Sequence, residues 1–361
     1  MKKSIFFIMP NLGGGGGERI ISILLNNLDR SVYRPQLVLL KKSDRNSFLE
    51  DLKNDVPIHY LDVKTRIMFS FPIIIYRLLN LVKIHSPDIL FFGSGQINAL
   101  LSPFLFLFPR NIRLVARESN LPSIFERYWV IKLLYRYSYL NYDVIIVQSN
   151  DMQNDLNQHF KIPLNKLVKI NNPVDHAFIS KQLEEGTANA ISPNNIRLLA
   201  AGRLTSQKGF DTLIVELAKL KEVPFNLYIL GDGEDKGKLE KLCQDNQLEN
   251  KVHFLGNVAN PYVYMRDVDG LILSSRYEGF PNVLLESIAC GTPVLANNCP
   301  GGIDEIVLPS FNGEIFSFAK HDFTEKFHLF MNTDYNKNEI KQYSKKKFSI
   351  QKKIVEFQSI L

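Results

Sequence analysis

The chain has 361 residues, 45% of them hydrophobic and 22% charged, ordinary for a soluble globular protein and long enough for two domains with ample cores. A net charge of +6 suits phosphate-bearing ligands or an anionic membrane surface without singling out either, and three cysteines without metal or redox spacing fit a reduced, cytosolic setting. No solenoid repeat, low-complexity tract or nucleic-acid module is visible.

Lys2-Lys3 precede only a short apolar run, Ile5 to Met9. That run reads as a first buried parallel strand, too short for the core of a secretion signal. It opens into five glycines, Gly13 to Gly17, then Glu18 and a helix with Ile20, Ile21, Leu24, Leu25 and Leu28 on one face. Glycines without side chains let backbone approach a phosphate or sugar. A dinucleotide site would want an acid after the second strand. The strand Gln36 to Leu40 ends instead in Lys41-Lys42, which argues against a nicotinamide cofactor.

Two longer apolar stretches follow, Ile67 to Val82 and Ile97 to Phe108, both interrupted by polar residues and proline. Neither supplies the ~18 to 20 clean residues of a membrane span. Buried helices are the plain expectation. Arg66, Arg77, Lys83, Arg110 and Arg113 flank them and leave open a face that dips into a membrane.

Ile89–Phe92, Arg113–Ala116 and Val144–Val147 are short continuous apolar runs, as in a parallel sheet covered on both faces. Ligands of such sheets gather at the carboxyl ends of the strands. That places Gly93-Ser-Gly95 and Arg117-Glu118-Ser119-Asn120 on the functional edge. The polar, turn-rich residues 181 to 195 mark a domain boundary or a loop just inside the next domain.

The alternation restarts at Ile196–Ala201, followed by Gly202-Arg203 and Lys208-Gly209 and a helix through Leu213, Leu217 and Leu220. Arginine offers a planar fork for phosphate oxygens and lysine a mobile point charge. Five residues apart across a turn, both can meet one diphosphate, although either alone could be a solvated surface charge. Strands Phe225–Leu230 and Val252–Val258 come next, with His253 read as structural. The run Gly270–Ser275 then leads into Glu278-Gly279-Phe280-Pro281-Asn282-Val-Leu-Leu-Glu286. Pro281 suits the first position of a helix that Gly291 and Pro293 stop before a strand at Val294–Ala296. Phe280 offers no side-chain cap, so the first amides can meet a ligand's oxygens. Glu278 sits at the helix entrance and Glu286 about 7 Å along its axis. Two acids bracketing an open helix start suit a ligand with hydroxyls and a phosphate; solvated acids on a buried helix are the alternative.

The string Ser274-Ser-Arg-Tyr-Glu-Gly-Phe-Pro-Asn-Val-Leu-Leu-Glu-Ser-Ile-Ala-Cys-Gly-Thr-Pro293 resembles the signature of retaining nucleotide-sugar glycosyltransferases of family four, and Gly16-Gly17-Glu18-Arg19, Gly202-Arg203…Lys208-Gly209 and Asn171-Asn-Pro-Val-Asp175 resemble further motifs of that family. The resemblance implies the α/β GT-B class, two facing Rossmann-like domains with parallel sheets and the donor in the cleft. The expected domains are an acceptor-side domain over 1–172, a nucleotide-sugar domain over 173–346, and a C-terminal helix over 347–361 that crosses back to the first domain.

By the same resemblance, Gly15, Gly16 and Gly17 face the donor diphosphate and the acceptor, and backbone at Asn257 and Val258 meets the nucleotide base. Arg203 and Lys208 hold the diphosphate, and Gly279, Phe280, Pro281 and Asn282 complete the donor site. Glu278 serves the sugar or the developing positive centre, and Glu286 the ribose. Many members carry a histidine where this chain has Arg117, Glu118, Ser119 and Asn120. That loop looks like the bacterial subset acting on lipid-linked oligosaccharides. Glu118 is the candidate base-like or orienting group there; a structural acid is the alternative.

The implied reaction is retaining transfer of a hexose or N-acetylhexosamine from a nucleotide sugar, with UDP the expected nucleotide, without a protein nucleophile, metal or other cofactor. A polyprenyl-diphosphate-linked saccharide is the leading acceptor. The expected setting is cytoplasmic, with peripheral contact to the anionic inner membrane, to which the lysine-rich tail from Lys337 to Lys353 could add. An epimerase or phosphorylase of the same fold, or a non-catalytic partner subunit, is the alternative.

Overall fold

A computed structural model describes residues 2–13, 15–42, 48–63, 70–187, 191 and 195–361. Gly14, Arg66, the start of the Ile67–Val82 stretch and part of the turn-rich tract before Asn195 lie outside the described residues. The chain divides into one unit of Met1–Pro173 with Ile350–Leu361, and a second of Val174–Ser349.

The first unit runs β1 (Lys3–Met9), α1 (Gly16–Asn27), β2 (Tyr33–Leu39), β3 (Ile58–Tyr60), α2 (Phe71–His85), β4 (Ile89–Phe92), α3 (Gly95–Leu101), β5 (Arg113–Arg117), α4 (Pro122–Phe125), α5 (Trp129–Tyr137), β6 (Val144–Val147), α6 (Asn150–Phe160) and β7 (Leu167–Lys169). All its strand pairs are parallel, in the order β3-β2-β1-β4-β5-β6-β7. Such a sheet must be apolar on both faces, and the central strand β4 is buried throughout.

The second unit runs α7 (His176–Glu184), β8 (Ile196–Ala201), α8 (Phe210–Ala218), β9 (Phe225–Leu230), α9 (Lys236–Asp245), β10 (Val252–Gly256), α10 (Pro261–Asp267), β11 (Gly270–Leu273), α11 (Asn282–Cys290), β12 (Val294–Asn297), α12 (Ile303–Ile306), β13 (Gly313–Phe316), α13 (Phe323–Asn332) and α14 (Lys337–Phe348). Its parallel sheet is ordered β10-β9-β8-β11-β12-β13. In both sheets the chain builds outward from its first strand in one direction and then in the other. The order reverses between β1 and β4 in one unit and between β8 and β11 in the other, and these are the crevices where such sheets take ligands.

The two apolar stretches form a helix and a helical pair. Ile74, Ile75, Leu78 and Val82 of α2 are buried, as are Ile97, Leu101 and Leu105 in α3 and the 3-10 turn after it. Arg77 is not a free flanking cation, because its guanidinium donates to the carbonyls of Leu61 and Asp62. The lysine-rich tail is likewise only partly solvated. Lys347 donates to the Glu305 carbonyl at 2.6 Å, and Lys353, 5% exposed, pairs with Glu356 at 2.9 Å.

The last helix, α15 (Ile350–Gln358), belongs to the first unit. Ile350, Ile354, Phe357 and Leu361 join the cluster formed by β1, α1 and β2. The Tyr33 hydroxyl donates to the Gln358 carbonyl at 3.0 Å, and Lys3 Nζ to the Leu361 carbonyl at 3.1 Å. Phe357→Ala should therefore destabilise this unit by about 3–5 kcal/mol, the range for deleting a buried phenyl ring. The measurement is the urea midpoint, and a wild-type midpoint would contradict this packing role.

Candidate active site

The second unit's reversal point is built by two loops, one after β8 and one after β11. Because β8 and β11 are neighbours in the sheet, their carboxyl ends deliver these loops side by side. Polar contacts then zip the loops together. The Arg276 amide donates to the Gln207 carbonyl at 2.8 Å and Gln207 Nε2 to the Tyr277 carbonyl at 3.1 Å. Ser274 Oγ donates to the Lys208 carbonyl at 2.8 Å, and the Arg276 guanidinium grips Asp211 at 2.7 and 3.0 Å.

The product is an ion pair between residues 70 apart in sequence: Lys208 Nζ lies 2.6 Å from Glu278 Oε1. The two side chains are 20% and 9% exposed, so little water screens them. Ser275 Oγ donates to the same oxygen at 2.5 Å, and the Glu278 amide donates to the Pro300 carbonyl at 2.8 Å. Ser275 is itself fixed through its carbonyl, which accepts from Asn297 Nδ2 at 2.9 Å. Among the described residues no hydrogen bond reaches Glu278 Oε2.

Two glycines make this geometry possible. Gly209 has φ +63°, and a Cβ there would lie 2.2 Å from the Ser274 carbonyl oxygen. Gly301 has φ +138°, and its Cβ would lie 2.6 Å from the Glu278 carbonyl oxygen. Any other residue would push the loops apart or strain the backbone.

Arg203 is exposed at the start of the first loop, and its guanidinium makes no ion pair among the described residues. Lys208 and Glu278 are thus brought together, with Arg203 on the same loop. Phe280 and Pro281 are buried, while Asn282 and Glu286 are half-buried on α11. Pro281 differs from its expected place. It has extended ψ of 99° and stands as the N-cap, so the helix begins one residue later at Asn282. No side-chain cap closes this helix start. Asn257 is exposed and Val258 half-buried just after β10, a position consistent with a backbone contact to a ligand. His253 packs on Tyr228 and hydrogen-bonds Asn226, as a structural residue would.

At the carboxyl edge of the first sheet, Gly15 is half-buried and Gly16 exposed at the start of α1, and a Cβ on Gly17 would reach 3.8 Å from Ser119 Cβ. Ser119 and Asn120 are half-buried, but Arg117 and Glu118 are 0% and 1% exposed. Glu118, the candidate base-like or orienting group, is enclosed. Arg117 is the last residue of β5 and Glu118 the first of the loop after it, and their side chains have different partners. Arg117 Nη2 donates to Asn172 Oδ1 at 2.7 Å; Nε and Nη1 have no partner among the described residues. Burial lowers its pKa to about 10, against the attraction of Glu118 and Glu18, so it stays charged at neutral pH.

Glu118 accepts hydrogen bonds from the hydroxyls of Tyr135, at 3.1 Å, and Tyr139. Burial pushes its carboxyl up to about 8, opposed by the Tyr135 hydrogen bond. Sequence reasoning had no signal for this cage, because its members stand 17 and 21 residues downstream. Nor did it assign roles to Ser275, Gln207, Asn297 or the Arg276–Asp211 pair, although Ser275 and Arg276 lie within the string that carries the family resemblance. No group of three or more His, Cys, Asp or Glu side chains able to hold a metal occurs among the described residues.

The sequence of residues 14–178 matches the family model for Glycosyltransferase Family 4, and residues 182–347 match that for glycosyl transferases group 1. The N-acetylgalactosamine-N,N'-diacetylbacillosaminyl-diphospho-undecaprenol 4-alpha-N-acetylgalactosaminyltransferase of Campylobacter jejuni is 30% identical over 322 residues, covering 85% of this chain and 83% of that protein. Among solved structures, the apo form of the lipopolysaccharide outer core galactosyltransferase WaaB superposes with a TM-score of 0.78 at 19% identity, over 99% of this chain and 98% of that one. HepE of Anabaena in complex with UDP-glucose superposes with a TM-score of 0.77 at 21% identity, over 99% and 100%. The fold is therefore of the GT-B class.

Glu118 makes stability depend on pH with a definite sign. Below its ordinary value of 4.5 the group is protonated in folded and unfolded chains alike. Between there and about 8 the unfolded chain gives up the proton while the folded one keeps it, so stability falls as pH rises. Glu118→Gln should flatten this stretch of the stability–pH profile, measured by urea unfolding across the window. A variant profile as steep as wild type would place the titration elsewhere.

Proposed function

Since the chain belongs to the family-four glycosyltransferases, we propose that it moves a hexose or N-acetylhexosamine from a UDP-sugar to a polyprenyl-diphosphate-linked saccharide, with retention, in the assembly of a surface polysaccharide. The observation that carries this reading is the Lys208–Glu278 pair at the reversal point of the second sheet, with Arg203 exposed on the same loop. Support for the donor comes from the HepE structure, which holds UDP-glucose, and for the acceptor from the Campylobacter relative, whose name specifies a diphospho-undecaprenol substrate. The acceptor also implies work at the cytoplasmic face of the membrane; no helix among the described residues is long and apolar enough to cross it.

The chemical difficulty is a departing nucleoside diphosphate with growing negative charge. Arg203 and Lys208 are fixed cations that can meet it, and preorganised charges at the site of developing charge contribute most to such catalysis. A phosphate arriving beside Lys208 would compete with Glu278 for the ammonium. Glu278 Oε2 is then placed for a sugar hydroxyl or for the cationic anomeric carbon. Its Oε1 is already held by Lys208 and Ser275, which suits an orienting acid better than an attacking one. Retention follows if the acceptor attacks on the face the leaving phosphate occupies, with that phosphate taking the proton. Glu286 on α11 serves the ribose hydroxyls.

Arg203→Ala and Lys208→Ala should each lower kcat/KM by about 2–4 kcal/mol of transition-state stabilisation. The pair separates in a second readout. Arg203 is exposed, so its variant should melt as wild type. Lys208→Ala leaves Glu278 unpaired and should melt lower as well. Turnover near normal in both would defeat the phosphate-clamp reading. Activity should also persist in a chelator; loss restored by Mg²⁺ or Mn²⁺ would show that a metal shares the work.

A further inference from the structure

The segment α4–α5 carries apolar side chains on two opposite faces. Inward, Ile131 and Tyr135 are 2% and 1% exposed, with Tyr135 ringed by Tyr139 and Phe160. Outward, Ile124, Phe125, Tyr128, Trp129, Leu133 and Tyr137 are all exposed, Trp129 and Tyr137 at 71% each. Trp129, Leu133 and Tyr137 recur every four residues, so they form one stripe along α5. Lys132 and Arg136 hold one flank of α5, so the exposed stripe lies beside charge rather than within an all-apolar surface, and a contiguous exposed apolar patch of this kind marks an interaction surface.

The charges identify the partner. Between Leu121 and Leu140 the cations are Arg127, Lys132 and Arg136, and Arg127 and Arg136 are exposed. The sole acid of that stretch, Glu126, is 4% exposed, and burial raises its carboxyl pKa. Lys161, exposed at the end of α6, adds a further cation near Arg136, whose Nη1 donates to the His159 carbonyl at 3.3 Å. Tryptophan and tyrosine tips on an aliphatic stripe, rimmed by cations, are what a helix lying in a bilayer interface presents. A second copy of this chain fits worse. A two-fold contact would set the same cations against one another, with no exposed acid on the segment to pair them.

We infer that the α4–α5 face is a membrane-docking surface, with Trp129, Leu133 and Tyr137 entering the headgroup region of an anionic bilayer and Arg127 and Arg136 meeting its phosphates. This extends the proposed acceptor chemistry but does not rest on it, because docking is measured without any sugar nucleotide. A transferase reading that failed would leave the result below untouched.

Trp129 is the one tryptophan of the chain, so intrinsic fluorescence reports this face alone. The full-length protein is titrated with phosphatidylcholine vesicles, with and without phosphatidylglycerol, and sedimented with them. The expected result is emission at shorter wavelength and co-sedimentation with the anionic vesicles, weaker with the neutral ones and weakened by salt. Leu133→Asp should lower partitioning at least ~10-fold, equivalent to about 1.4 kcal/mol, while melting as wild type because the side chain is exposed. Arg127→Glu with Arg136→Glu should remove the preference for phosphatidylglycerol. No shift and no sedimentation with anionic vesicles would overturn the inference, as would binding unchanged in Leu133→Asp. So would a lipid-free emission shift that follows protein concentration together with a dimer in sedimentation velocity, which would assign the face to a second copy.

Discussion

The site depends on one interaction, the ion pair of Lys208 and Glu278. It joins the loops that leave two adjacent strands, and every other contact between those loops serves its geometry. Stability alone does not explain it. Taking two charges out of water costs about as much as their attraction returns, and apolar replacements of buried pairs are often neutral or stabilising. What the pair supplies is a cation and a carboxylate held ready at the crevice of a doubly wound sheet. Glycine at 209 and 301 is required by the same geometry, because backbone from one loop occupies the space a side chain would need.

The first unit repeats the sheet order but treats its edge differently. Arg117 ends β5 and Glu118 opens the loop after it, and the two buried side chains have separate partners. Arg117 stays ionised and finds Asn172; Glu118 retreats into hydroxyls and is neutral through most of the physiological range. Burial lowers the Arg117 pKa against the attraction of Glu118 and, to a smaller extent, of Glu18 in the first turn of α1.

Much of the architecture was legible in the sequence. Ile89–Phe92, Val144–Val147, Ile196–Ala201 and Phe225–Leu230 are strands with the bounds read from the sequence, because a strand buried on both faces is mostly apolar along its length and stops where polar, turn-forming residues resume. Arg203, Lys208 and Glu278 stood out because the loops that carry them, after the runs Ile196–Ala201 and Gly270–Ser275, match motifs of the family. Long-range pairing was not legible: nothing near Lys208 announces a carboxylate 70 residues on, nor anything near Glu118 its two tyrosines. The outward face of α5 escaped for a different reason. Apolar residues stand on both sides of the flank that Lys132 and Arg136 occupy, so the sequence does not say which of the two, Ile131 and Tyr135 or Trp129, Leu133 and Tyr137, faces the core.

The central claim is that the second unit's crevice is a nucleoside diphosphate site, and ligand-induced stabilisation tests it most directly. Melting of the wild-type protein is compared with Glu286→Ala in the presence of UDP, GDP, ADP, CMP and NAD. A ligand at ~100 times its dissociation constant stabilises the folded state by about 2.7 kcal/mol, which a melting curve resolves. The expected result is a shift with UDP that Glu286→Ala reduces or abolishes. Silence with every nucleotide, or a shift with NAD alone, would contradict it.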